Sequence, residues 1–123
     1  MRKRFTDSDK WNKRWFRTLT PQEKVLWFYI SETVTFDGFW EYDEEAVKFY
    51  TGYDGDIPKV ILEKLGMHQV DEHQFFLSKW IVFQYGELRY NVRPHKRIIE
   101  RLQEKGLDDK FPDLIAEGNG VYG

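Results

Sequence analysis

The sequence predicts a mostly α-helical domain with a small antiparallel sheet: a winged helix-turn-helix with an extra helix at its N- and C-terminal ends. Three observations carry this expectation. Capping and stop signals divide the chain into helix, helix, strand, helix, helix, strand, strand, helix, helix. Without the outer helices that order is α-β-α-α-β-β, in which three helices each bury one stripe and a hairpin covers an edge of their core. A length of 123 residues suits one domain, read as residues 1–107, with 108–123 as a tail or the start of a linker.

The elements run in order along the chain. Asp7 or Ser8 caps a first helix of about ten residues. At 100° per residue, Trp11, Trp15 and Leu19 share one side and Lys10, Lys13, Arg14 and Arg17 the other. "TPQE" opens the second helix, with Thr20 as N-cap, Pro21 in the first turn and Glu23 completing a capping box. From Val25 to Ile30 this helix is apolar nearly all round, which predicts the most buried element. Gly38 breaks the pattern, and Phe39 to Tyr42 suit a short strand. Asp43 caps a third helix through Tyr50 that ends near Gly52. Asp56 caps a fourth, with Pro58 in its first turn and Gly66 as its stop, burying Ile57, Val60, Ile61 and Leu65. Met67 to Val70 and Gln74 to Leu77 pair as a hairpin with "DEH" at the tip. Lys79 to Tyr85 fits strand or helix; a short helix after Ser78 is the favoured reading. Pro94, with Asn91 as a cap, starts a last helix whose inner face is His95, Ile98, Ile99 and Leu102.

The net charge of −2 conceals a strong pattern. Residues 1–20 hold seven basic and two acidic side chains, and residues 77–106 hold seven and three. The intervening 21–76 hold four and twelve, and 107–123 hold one and four. Two basic segments thus flank an acidic middle. On the last helix Arg93, Arg97, Arg101 and Lys105 recur every four residues as one slanting stripe, with Lys96 nearby. Two readings compete. In one the stripe is a solvated face, with Glu100 and Glu104 paired to Arg97 and Arg101. In the other it holds phosphate, which suits arginine's bidentate geometry. The expected nucleic-acid contacts are Lys10, Lys13, Arg14, Arg17, Arg93, Lys96, Arg97 and Arg101, converging on one electropositive surface. Against groove reading by the fourth helix stand Asp54 and Asp56 at its start, where phosphate would repel them, and only Lys59 and Lys64 as cations.

Certain chemistry is not expected. With no cysteine there are no disulfides and no cysteine-ligated zinc or iron–sulfur sites. His68, His73 and His95 lack the spacing of a metal motif. The carboxylates of "DEEA" at 43–46 suit a helix N-terminus, and "YTGYDGD" at 50–56 lacks the lysine and spacing of a phosphate loop. No catalytic residue, metal or cofactor is therefore expected, and the chain is read as a non-enzyme. "MRKRF" leads into polar sequence without the apolar core of a signal peptide, and the longest apolar run is far short of the ~20 residues of a membrane span. A cytoplasmic protein without a membrane partner is expected. Five Trp, seven Tyr and ten Phe mostly form core, leaving a few to stack on bases or anchor a protein partner.

The chain also resembles a known family, the N-terminal domain of phage replication-initiation proteins, the replisome organisers of phages of Gram-positive bacteria. The resemblance runs from about Lys3 to Leu107. It rests on "KRF" at 3–5, "WF" at 15–16 with Leu19, "LWFY" at 26–29, "DGFWEYD" at 37–43, "FQYGEL" at 83–88 and "HKRIIERLQEKGL" at 95–107. The link "RYNVRP" at 89–94 departs from the Asn-rich, Pro-containing link usual there. The resemblance implies a winged helix that binds double-stranded DNA at a phage origin or helps assemble a primosome in the cytoplasm of the bacterial host. It also implies a flexible linker beyond the domain, leading to a partner-binding region. Two alternatives share the residues: a protein–protein or homodimerisation module recruiting a helicase or helicase loader, and a winged-helix transcriptional regulator.

Overall fold

A computed structural model of the chain describes residues 4–116. The chain begins with a 3₁₀ turn (Ser8–Asn12) and one turn of helix, α1 (Arg14–Arg17), and continues into α2 (Pro21–Thr33), β1 (Phe39–Glu41), α3 (Glu44–Thr51) and α4 (Lys59–Leu65). Then come β2 (Met67–Gln69), β3 (Gln74–Leu77), α5 (Ser78–Tyr85) and α6 (Arg93–Glu104). The sheet is antiparallel in the order β1-β3-β2, with Phe39 opposite Phe76 and Met67 opposite Leu77. This is a winged helix-turn-helix with added helices at its ends, mostly α with a small sheet.

Local chemistry explains most boundaries. The Thr20 hydroxyl accepts from the Glu23 N–H and the Glu23 carboxylate accepts from the Thr20 N–H, so the capping box that starts α2 is complete. Asp43 accepts from the Ala46 N–H at the start of α3. Gly66, at φ 62°, ends α4 in the left-handed region and turns the chain directly into β2. At the wing tip the Asp71 carboxylate accepts from the N–H groups of His73 and Gln74, each at 2.8 Å. These bonds, led by that from His73, hold its carboxyl below the usual carboxylate range. The core runs from Leu26 and Ile30 of α2, through Phe39, Phe76 and Ile61, to Ile98, Ile99 and Leu102 of α6.

Several expectations are corrected. The first helix is not continuous. Lys13 is extended, at φ −91° and ψ 136°, and this break rotates α1 relative to the 3₁₀ turn before it. Phe16 is wholly buried, packed edge-on to Trp11, Trp15 and Phe28, while Trp11 stays half exposed. A helix this short is set by packing rather than propensity, and burying Phe16 decides its facing. α2 is not the most buried element, because Val25 faces solvent and Trp27, Phe28 and Tyr29 are only partly covered. Asp56 does not cap α4. The N-cap falls on Pro58, and the Asp56 carbonyl instead accepts from the Tyr53 hydroxyl. The N-cap of α6 is likewise Val92 rather than Asn91. Finally, 108–116 is no tail. Leu114 and Ala116 are buried, and Leu88 exchanges backbone hydrogen bonds with both. Apolar Leu107, Phe111 and Leu114 give this stretch a stripe to bury; the rest of the expected tail, 117–123, lies outside the described residues.

Candidate nucleic-acid interface

Of the eight cations expected to meet phosphate, the structure leaves five exposed and without a carboxylate partner among the described residues: Arg14, Arg17, Arg93, Lys96 and Arg97. Arg97 lies over the Phe36 ring at 5.2 Å and Lys96 over Tyr90 at 5.5 Å. Such contacts fix the charge laterally and leave its outer N–H groups available. Lys13 is exposed but sits 3.7 Å from Asp9, a surface pair of small energetic weight.

The other two belong to the fold. Lys10 does not lie on the outer face: it is 4% exposed, its ammonium donates to the Asp7 carbonyl at 2.8 Å, and it lies over the rings of Phe16 and Phe28. The break at Lys13 that turns Phe16 inward accounts for this reversal. Arg101 is engaged on three sides, by Asp37 at 3.7 Å, Glu104 at 3.3 Å and the Phe39 ring at 5.5 Å. Of the ion pairs expected along α6, the one between Arg101 and Glu104 forms, while Arg97 turns to Phe36.

The five come from two elements, α1 and α6. α1 lies along the middle of α2, with Trp15 against Trp27 and Phe16 against Phe28, while Arg97 of α6 is held over Phe36, which follows the C-terminal end of α2. The face a winged helix commonly turns to a groove is acidic here. Asp54 is tied to Lys48 at 3.3 Å, and a shallow hollow between α4 and the wing carries Asp56 and Glu72 above Leu62 and Phe75.

A further cationic feature is invisible in the sequence. Residues 4–7 lie as an arm across α2 and α5. The Arg4 guanidinium donates to the carbonyls of Ser31 at 3.1 Å and Val34 at 2.5 Å, satisfying groups at the C-terminal end of α2, and stacks over Trp80. Gln84 bonds both the N–H and the carbonyl of Phe5. Between arm, α2, α4 and α5 runs a groove of about 340 Å³ walled by Trp15, Trp27, Phe28, Trp80 and Phe83, with Lys13, Lys64 and Lys79 on its lining. The contacts that assemble it join residues up to 79 positions apart, so no local spacing announces it.

The histidines have structural surroundings. His68 meets Phe111 edge-on, and His95 accepts the Arg89 N–H on Nδ1 at 3.0 Å. Burial, and secondarily Arg89, holds the His95 pKa below its ordinary value. Among the described residues no cluster of His, Asp and Glu is arranged to hold a metal, and no helix is long and apolar enough to cross a membrane. No family model, curated protein or solved structure matches the chain. Fold and surface together define a winged-helix domain with exposed cations on α1 and α6 and an acidic wing face.

Proposed function

We propose that this domain is a non-catalytic DNA-binding module acting in phage replication initiation, by origin binding or primosome assembly. The observation that carries the DNA-binding reading is the set of five exposed, unneutralised cations on a chain of net negative charge. The replication setting is supported by the resemblance of "DGFWEYD" and "FQYGEL" to replisome organisers. In this reading Arg14 and Arg17 grip one stretch of backbone, and Arg93, Lys96 and Arg97 another. The contacts position the domain, and the acidic wing face stays off the duplex.

A protein–protein module is the second reading, favoured by Phe49 and Tyr50 of α3, which are 81% and 65% exposed. Titration of labelled duplex at low and moderate salt, with light scattering on the same samples, separates the two. Salt-dependent duplex binding is the expected result. Absence of binding at low salt, together with a dimer or a complex with helicase loader, overturns the DNA reading. Sequencing the fragments retained from the genome of origin then distinguishes origin sites from the promoter sites of a transcriptional regulator.

A further inference from the structure

We propose that the aromatic groove between the N-terminal arm, α2, α4 and α5 binds single-stranded DNA, bases against its walls and phosphates on Lys64 and Lys79. The choice of DNA rests on the reading above; the groove chemistry does not. Trp15, Trp27 and Phe28 are half-buried and Phe83 is 48% exposed, so each presents ring surface to an occupant. The volume, about 340 Å³, falls within the roughly 300–1,000 Å³ typical of pockets that enclose small ring systems. Five basic residues line the groove against two acidic ones, Asp7 and Glu32, on a chain whose net charge is −2.

The lining cations divide by role. Arg4 and Lys10 are used up by carbonyls of the protein itself and hold the walls in place. Lys64 sits over the Trp15 ring at 5.5 Å, Lys79 is exposed, and neither has a carboxylate partner among the described residues. Cations beside accessible π-faces match a polyanion whose bases are unstacked and free to enter. A duplex cannot use this feature, since its bases are already stacked within it. An acidic peptide would satisfy the lysines but would meet the ring walls only where it carried apolar side chains, whereas every nucleotide brings a π-face.

Tryptophan fluorescence reads the groove directly, because Trp15, Trp27 and Trp80 line it. Titration with an oligothymidylate of about twelve residues, long enough for a typical single-strand site, should quench it. Phe83→Ala should weaken binding roughly tenfold, the scale of one lost base stack. Lys64→Ala with Lys79→Ala should weaken it at least as much. All three positions are exposed or rim the groove, and melting curves verify folding. Duplex affinity should be unchanged in these variants, whereas Arg93→Ala with Arg97→Ala should lower duplex affinity and leave the quenching intact. Absent quenching, or quenching insensitive to both groove variants, overturns the proposal. So does equal competition by polyglutamate, which would mark a peptide site, or tighter binding of oligouridylate, which would mark RNA. Loss of duplex binding with oligothymidylate binding retained removes the duplex reading and keeps the groove.

Discussion

Replacing Arg93 and Arg97 by alanine should flatten the salt dependence of duplex binding by a calculable amount. Each phosphate contact contributes about −0.9 to the slope of log K against log salt. Five accessible cations therefore give about −4.5, which is a ~500-fold loss of affinity between 50 and 200 mM salt. Three give about −2.7 and a loss of only ~40-fold over the same range. Had all eight cations expected from the sequence made contact, the slope would be about −7. The structure argues for five because Lys10 is buried and Arg101 and Lys13 have acidic neighbours. Arg101→Ala is the control. It should leave the slope unchanged but lower Tm by roughly 3–6 °C, as expected for losing about 1 kcal/mol in a chain of this size. The assay is fluorescence anisotropy of a labelled duplex across a salt series. An unchanged slope in the Arg93/Arg97 variant, or a slope near −7 in the parent, refutes the assignment.

Three other outcomes test the fold. Gly38, at φ 85°, would place a Cβ 2.7 Å from Ile81 Cγ1, so Gly38→Ala should cost at least about 2 kcal/mol in urea unfolding; a neutral result would mean that β1 and α5 are not packed this closely. Arg4→Ala removes two hydrogen bonds to the end of α2 and should cost about 1–2 kcal/mol, while Lys13→Ala, with only an exposed ion pair, should stay within about 0.5 kcal/mol. His95 must be unprotonated on Nδ1 to accept the Arg89 N–H, and its folded pKa lies below the ordinary 6.5. The unfolded chain thus takes the proton first: stability is complete above about pH 6.5 and declines as pH falls through the lowered folded value. Thermal melts of His95→Gln across that interval should show a shallower decline than the parent, and parallel curves would exclude His95 as the source.

What could be read from the sequence was whatever is decided within a few residues. The Thr20–Glu23 box, the Asp43 cap, the Gly52 and Gly66 stops and the hairpin at 67–77 all depend on neighbours at most ten positions away, and each appears in the structure. The inner face of α6 was legible because a twelve-residue amphipathic helix has a face that the fold can only accept. The first segment was not. Its two short turns carry too few hydrogen bonds to dictate their own facing, so Phe16 rather than Trp11 was drawn in and Lys10 went with it. Asp56 misled because an acid two residues before a proline resembles a cap, yet the extended geometry of Pro58 itself supplies the N-cap. The candidate site was half legible for the same reason. Exposed stripes repeat locally, but the meeting of Lys64 with Trp15, or of Gln84 with Phe5, exists only after folding.

The charge blocks of the sequence then acquire a direction. The acidic middle supplies α3, α4 and the wing, while the basic ends supply α1 and α6. A polyanion approaching this molecule is repelled by Asp56, Asp71 and Glu72 on one side and attracted to the cations of α1 and α6 on others. In the proposed reading, like-charge repulsion at the wing would bias the orientation in which the domain approaches a duplex. The acidic surface of α4 would keep that helix, which ordinarily reads bases, off the duplex. Phe49 and Tyr50 of α3 are exposed, and in that reading they would stay accessible to a protein while DNA was held elsewhere. The DNA-binding and partner-binding readings are therefore compatible on one domain, provided that they use these separate faces.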